Sequence, residues 1–161
     1  MRYNKKYNIV IPPKYPYDDS VPEDNAEKTE MELAYEFAFA NGITTMDTME
    51  KADMNSPLTR IAMAKMLSQY AINVLGRTPD ISRSATFKDV TANMDAQYND
   101  GVTLAYQLEI MGINLENGNF RPNDLVTRAE FGTALSRLLF GLEDGANKYH
   151  ALVNYFLDSV N

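Results

Sequence analysis

Two Thr-Arg pairs, each directly before an apolar segment, are the residues of this sequence best suited to bind a ligand. The pairs are Thr59-Arg60 and Thr127-Arg128. Threonine is a favoured helix N-cap, so each arginine falls at the first position of a predicted helix. A cation there opposes the helix dipole, and a bound anion near the free helix N–H groups would compensate for it. The pattern therefore predicts an anion at each arginine, supplied either by a carboxylate of the protein or by a ligand.

The two pairs differ in the acidic residue that follows them. Glu130 completes a capping box with Thr127, whereas Ala62 stands at the matching position of the first pair. We therefore expect less negative charge of the protein around Arg60 than around Arg128.

Residues upstream of the second pair are expected to support its site. Asp89 and Asp124 are the protein carboxylates that could compensate Arg128. In the stretch "NGNF", we expect Gly118 to adopt a left-handed turn conformation and Phe120 to anchor the loop in the core.

Sequence patterns of an enzyme or of a nucleic-acid-binding protein are absent. The single histidine, His150, is accompanied by no cysteine and no serine-nucleophile pattern, and no phosphate loop, zinc-ligand spacing or EF-hand series occurs. A net charge of −7 and a pI near 4.7, with no concentrated basic face, disfavour binding to nucleic-acid phosphates. We therefore expect no catalytic activity, no cofactor, no metal site and no nucleic-acid partner.

The apolar runs of the sequence are short. The longest is far below the roughly 20 residues that a membrane-spanning helix needs. The basic start of the chain has only Ile9, Val10 and Ile11 as an apolar core, so no signal peptide is visible in the chain as given. We expect no membrane span.

Five helices are predicted from capping residues and apolar periodicity. Thr29 and Glu32 form a capping box at the start of the first helix, and Gly42 ends it. Gly101 lies inside the third predicted helix, where it would cost about 1 kcal/mol relative to alanine. The predicted helices lie near residues 29–41, 59–75, 95–111, 127–140 and 147–160.

These helices form an internal repeat. Each unit has a helix, a Gly-Ile pair, a polar loop, a Thr-Arg pair and a second helix; the offset between units is 70 residues at Gly-Ile and 68 at Thr-Arg. Unit 1 covers 27–80, unit 2 covers 81–142, and 143–161 holds the first helix of a partial third unit. Such units bury their apolar faces by packing on each other.

An N-terminal segment, residues 1–26, differs from the repeats because it is rich in proline and tyrosine. Proline favours extended backbone, so we expect an extended arm. The arm is either a disordered tail or linker, or a segment that contacts a neighbouring subunit through Tyr3, Tyr7, Ile9 and Ile11.

Unit 2 resembles the S-layer homology (SLH) repeat. The matching stretches, within Ala85–Gly141, are "TFKDV", "LAYQLEIMGI" and "ENGNFRPNDLVTRAEFGTALSRLL". Unit 1 keeps "AYEFAFANGITTM" and "PLTRIAMAKML" but lacks the F-x-D-V start, the G-x-F-x-P loop and the glutamate. Details such as "GITTM" and "PLTR" are similar to SLH-type surface proteins of candidate-phylum bacteria.

The resemblance implies a mainly α fold, in which SLH-like helix-loop-helix repeats surround a central three-helix bundle with pseudo-threefold symmetry and a truncated third repeat. It implies a non-catalytic module at the cell surface that anchors a protein to the cell envelope through an acidic cell-wall polysaccharide. The alternative is a structural subunit that assembles into a surface layer or filament through the arm and the partial repeat. The implied glycan-binding residues are Arg60, Arg128, Asp89, Thr59, Thr127 and Gly118.

Overall fold

Helices provide the regular structure in the computed structural model, which describes residues 28–142. Within this part no β-strand is present, and a single β-bridge joins Thr59 to Leu125. The mainly α prediction is confirmed. The helices are α1 (Glu30–Ala40), α2 (Met49–Ala52), α3 (Arg60–Asn73), α4 (Ala92–Gln97), α5 (Gly101–Gln107) and α6 (128–142, up to the last described residue).

Helix α1 begins and ends as its sequence predicts. The Thr29 N–H donates to Glu32 Oε2 at 2.7 Å, and the Glu32 N–H donates to Thr29 Oγ1 at 3.3 Å, so the capping box is formed. Gly42, in the left-handed region with φ 68°, follows the last turn. The buried Tyr35 hydroxyl donates to the carbonyl oxygens of Met46 and Thr48. These bonds fold the following loop back onto α1 and place the short helix α2, which the periodicity did not predict.

Helix α3 packs against α5. Gly101 makes this close approach possible, because a Cβ atom there would lie 2.7 Å from the backbone of Lys65. The buried Ser68 hydroxyl donates to the Ala64 carbonyl and, at 3.2 Å, to the Gly101 carbonyl. The core around this contact is formed by buried apolar side chains of both units: Ile61, Met63, Ala64, Ala71, Phe87, Val102, Ala105, Tyr106, Leu108, Ile110, Met111, Phe120, Ala134 and Leu138.

The prediction of a single helix over residues 95–111 is wrong. Asn99 and Asp100 have φ values of 55° and 54°, which separate α4 from α5. The buried Asp95 carboxylate accepts the Val102 N–H at 2.8 Å and the Thr103 N–H at 3.1 Å, and also the Thr103 hydroxyl. These amides are the unpaired donors of a new helix start, so the acceptor that stabilises the break is a side chain of the preceding helix.

The C-terminal end of this prediction also changes. Helix α5 ends at Gln107, four residues before the predicted end at Met111, and Glu109 has a φ of 60°. The chain reaches Gly112, with φ 79°, through this turn.

The predicted central bundle combines the helices near 29–41, 95–111 and 147–160, and the last of these lies outside the described residues. The arm at 1–26 and the partial third unit at 143–161 lie outside them too. Among residues 28–142, α3 of unit 1 packs against α5 of unit 2. The bundle and its pseudo-threefold symmetry stay predictions. No helix among residues 28–142 is long and apolar enough to span a membrane.

Candidate functional site

The Arg60 side chain lies between the two units and is only 6% exposed. Thr59 caps α3, as predicted, with its hydroxyl accepting the Ala62 N–H at 3.4 Å. The Arg60 Nε donates to the Phe120 carbonyl at 2.8 Å, and Nη1 donates to Glu130 Oε1 at 3.0 Å. Its guanidinium carbon also lies 5.0 Å from the centre of the Phe120 ring, within the range of a cation–π contact. Arg60 therefore binds three groups of unit 2 at once.

Backbone hydrogen bonds continue the same contact. The N–H groups of Arg60 and Ile61, at the start of α3, donate to the carbonyls of Asp124 and Pro122, both at 2.9 Å. In the opposite direction, the Val126 N–H donates to the Leu58 carbonyl at 2.8 Å. We call this contact between residues 58–61 and residues 120–130 the joint. It uses the helix N–H groups at which the sequence predicted an anion.

Glu130 is the charged centre of the joint. Its Oε1 accepts from Arg60 Nη1 and from Arg121 Nη2, the latter at 2.7 Å. Its Oε2 accepts the Thr127 N–H at 3.0 Å, and the Glu130 N–H donates back to Thr127 Oγ1 at 3.2 Å, which confirms the predicted capping box. The carboxylate therefore caps α6 and pairs with two arginines.

The ionisation of the joint follows from these contacts. Burial raises the pKa of Glu130, but the Thr127 N–H, Arg60 and Arg121 together lower it by more, so that the pKa lies below its usual value. Burial lowers the pKa of Arg60, and the Glu130 charge opposes that effect. The expectation of less negative charge around Arg60 is wrong, because its carboxylate comes from unit 2 rather than from its own helix.

Asp89 fastens the "TFKDV" segment to the loop of unit 2. Its two carboxylate oxygens accept the N–H groups of Phe120 and Arg121, both at 2.7 Å. The Lys88 N–H donates to the Gly118 carbonyl at 2.8 Å. Asp89 therefore shapes the loop that receives Arg60, and it makes no ion pair with Arg128.

The turn around Gly118 differs from the prediction. Asn117, with φ 64°, takes the left-handed conformation that was expected of Gly118. Glycine is favoured at 118 by a close contact instead, since a Cβ atom there would lie 3.2 Å from the Leu115 carbonyl oxygen. Phe120 is fully buried and contacts the edge of Phe87, with 5.3 Å between ring centres. Its predicted role as a core anchor is confirmed.

Arg128 has the opposite environment to Arg60. Its side chain is exposed, and no hydrogen bond or ion pair joins its guanidinium group to another residue in the 28–142 part of the chain. Asp124, one of the two carboxylates expected to compensate it, lies 3.4 Å from Arg121 instead. One Thr-Arg pair therefore lies inside the joint, and the other presents its arginine to solvent.

Two arginines that the sequence did not single out also stabilise this region, Arg121 within unit 2 and Arg77 between the two units. Arg121, with φ 61°, pairs with Glu130 and Asp124. Arg77 donates to the carbonyls of Leu108 and Leu138, at 3.0 and 3.3 Å. The residues 28–142 contain no group of three or more histidine or acidic side chains that could hold a metal ion.

Comparison with known proteins bears on the same segment. A family model described as the S-layer homology domain matches residues 86–131. The matched segment, under a third of the chain, runs from the residue before Phe87 to the residue after Glu130. This match supports an S-layer homology domain in unit 2. No curated protein and no solved structure matches the chain significantly.

Proposed function

We propose that this chain is a non-catalytic module that anchors a protein to the cell envelope by binding an acidic cell-wall polysaccharide. S-layer homology domains generally anchor proteins to wall polysaccharide, and residues 86–131 match such a domain. This function places the protein at the cell surface. The resemblance to surface proteins of candidate-phylum bacteria fits the same location.

The exposed guanidinium of Arg128 is the observation that carries the acidic specificity. It lies at the first position of α6, where the helix dipole already favours an anion, and no protein carboxylate pairs with it in the described part of the chain. A planar guanidinium can grip a carboxylate of a sugar through two parallel hydrogen bonds. At the start of α3, Glu130 and the loop carbonyls supply the acceptors for Arg60 and the first helix N–H groups. An acidic sugar would supply the corresponding acceptor for Arg128 at the start of α6.

The other residues expected to bind glycan have structural roles, which favours Arg128 as the residue that contacts the glycan. Arg60 is buried in the joint, and the Asp89 oxygens accept two backbone N–H groups. Thr59 caps a helix whose first N–H groups already have acceptors. Gly118 fits a tight turn. The proposed site is therefore Arg128 with the adjacent Thr127, positioned by the joint.

Co-sedimentation with cell walls tests this function. Protein-stripped walls are prepared in two forms, one intact and one treated with acid to remove the wall polysaccharide and leave the peptidoglycan. We expect the protein to pellet with the intact form and to stay in solution with the treated form. Equal pelleting with both forms would contradict polysaccharide binding.

The structure also gives a reason to consider the assembly function. In the joint, a Thr-Arg pair docks onto the loop of another unit, and Thr127-Arg128 is a second such pair without that contact in the described part of the chain. A loop from a neighbouring copy would cover Arg128 with protein. Light scattering during gel filtration distinguishes the two, because assembly predicts oligomers that an Arg128→Gln change dissociates, whereas the anchor predicts equal mass for both proteins.

A further inference from the structure

A cleft lined by methionines opens between the start of α1 and the segment that follows α2. Its volume is about 340 Å³, and its apolar walls are Met31, Met49 and Met54. Met31 is 57% exposed and Met54 is 51% exposed. Isolated exposed apolar side chains are common on protein surfaces, but three around one cleft form a shared surface. Methionine side chains are flexible and polarisable, so such a surface adapts well to a peptide.

The surroundings of this methionine cleft are acidic. Glu50 and Asp53 line it directly. Residues 28–56 contain six carboxylates and two lysines, and both lysines are already paired, with Glu36 at 2.6 Å and with Asp47 at 2.7 Å. Within the described part of the chain, Glu30, Glu32, Glu50 and Asp53 form no salt bridge. A segment that fits this cleft should therefore be both apolar and basic.

We propose that residues 2–14 of the same chain bind in the methionine cleft. This segment has four basic residues and no acidic residue, and its centre is the apolar run Ile9–Ile11. In this arrangement the isoleucines contact the methionines, and Lys5 and Lys6 pair with the acidic rim. The inference goes beyond wall binding, since it assigns an intramolecular partner to a surface far from Arg128 in the sequence.

The connection between the two parts of the chain makes this binding feasible. Residues 15–27 separate the segment from the described part, and 13 residues span up to about 40 Å when extended. Met31, which lines the cleft, follows almost directly. A short tether gives an effective concentration in the range of about 1 mM, far above that of a second copy in dilute solution. The chain's own segment is therefore the favoured occupant.

Methionine oxidation measures whether the cleft is covered. The 161-residue protein and its K5E/K6E variant are treated with dilute hydrogen peroxide, and the oxidation rate of each methionine is followed by mass spectrometry of peptides. We expect Met31 and Met54 to oxidise several-fold faster in the variant. Met66, which is 36% exposed on α3 and does not line the cleft, is the internal control and should keep its rate.

A charge-swap variant makes the test specific. Adding E50K and D53K to K5E/K6E restores opposite charges with their positions exchanged, so protection of Met31 and Met54 should return. Equal oxidation rates in wild type and K5E/K6E would overturn the proposal. Protection that disappears on dilution would overturn it as well, because the cleft would then be covered by another copy.

Discussion

Replacing Glu130 by glutamine tests the joint with the smallest change in shape. The substitution keeps the size of the side chain and one carbonyl oxygen, and it removes the negative charge that Arg60 and Arg121 share. Arg121 is half exposed and can be solvated. Arg60 cannot, because only 6% of its side chain is exposed. The cost should therefore come mainly from a buried guanidinium that has lost its counter-charge.

The expected magnitude follows from the burial of the pair. Breaking a fully buried ion pair by removing one partner costs about 3–5 kcal/mol. Glu130 is 21% exposed, and Arg60 keeps its hydrogen bond to the Phe120 carbonyl, so the cost should be smaller. We expect about 2 kcal/mol, which for a chain of this length lowers the melting temperature by about 4–8 °C.

Urea and thermal unfolding followed by circular dichroism at neutral pH measure this loss. The matched control is Glu116→Gln, since Glu116 also accepts hydrogen bonds, including one from Tyr106, but is exposed and lies outside the joint. The control should lose clearly less stability than Glu130→Gln. In a double-mutant cycle with Arg60→Gln, the two changes should cost clearly less together than the sum of their separate costs, by about 1 kcal/mol or more. Equal melting temperatures for E130Q and wild type, or strictly additive costs in the cycle, would show that the joint does not stabilise the fold.

Three further predictions concern pH and helix packing. The folded-state pKa of Glu130 is lowered, so its charge stabilises the fold above its unfolded pKa of about 4.3, and this stabilisation is lost as the pH falls through the folded value. The loss of stability caused by E130Q, measured in urea, should therefore shrink between about pH 5 and pH 3. A loss that stays constant over this range would contradict the prediction. Gly101→Ala should cost about 2 kcal/mol or more in thermal unfolding, despite the better helix propensity of alanine, because the new Cβ meets the Lys65 backbone. Gly76→Ala is the control, with open space and a strain of about 1 kcal/mol from its positive φ, and an equal loss in both would argue against the close approach. Asp95→Ala should cost about 1–2 kcal/mol by uncapping α5, and an unchanged urea midpoint would disprove that role.

The features that sequence predicted well are decided by neighbours in the chain. The caps of α1, α3 and α6 are bonds between a threonine and an amide three residues later, so the sequence contains both partners. The break between α4 and α5 shows the limit of periodicity. The apolar spacing of Val102, Ala105 and Leu108 favoured one helix, although "YNDG" is a turn-forming sequence and Asp95 lies in reach of the new helix start.

The role of Arg60 could not be predicted in this way. Its carboxylate partner, Glu130, lies 70 residues away in the sequence. Aligning the two units predicts only that Glu130 caps its own helix. The two units pack against each other, and the glutamate of unit 2 pairs with the arginine of unit 1. A partner that depends on how units dock is a tertiary property, and it leaves no signal in either unit alone.

Wall binding by two arginine variants tests whether the two Thr-Arg pairs have different roles. Arg60→Gln, Arg128→Gln and wild type are sedimented with intact walls, and the bound fraction is divided by the folded fraction at the same temperature. Arg128→Gln should keep the melting temperature and lose most of its binding, whereas Arg60→Gln should melt several degrees lower and bind normally per folded molecule. Full binding by folded Arg128→Gln, with binding lost in folded Arg60→Gln, would contradict the account.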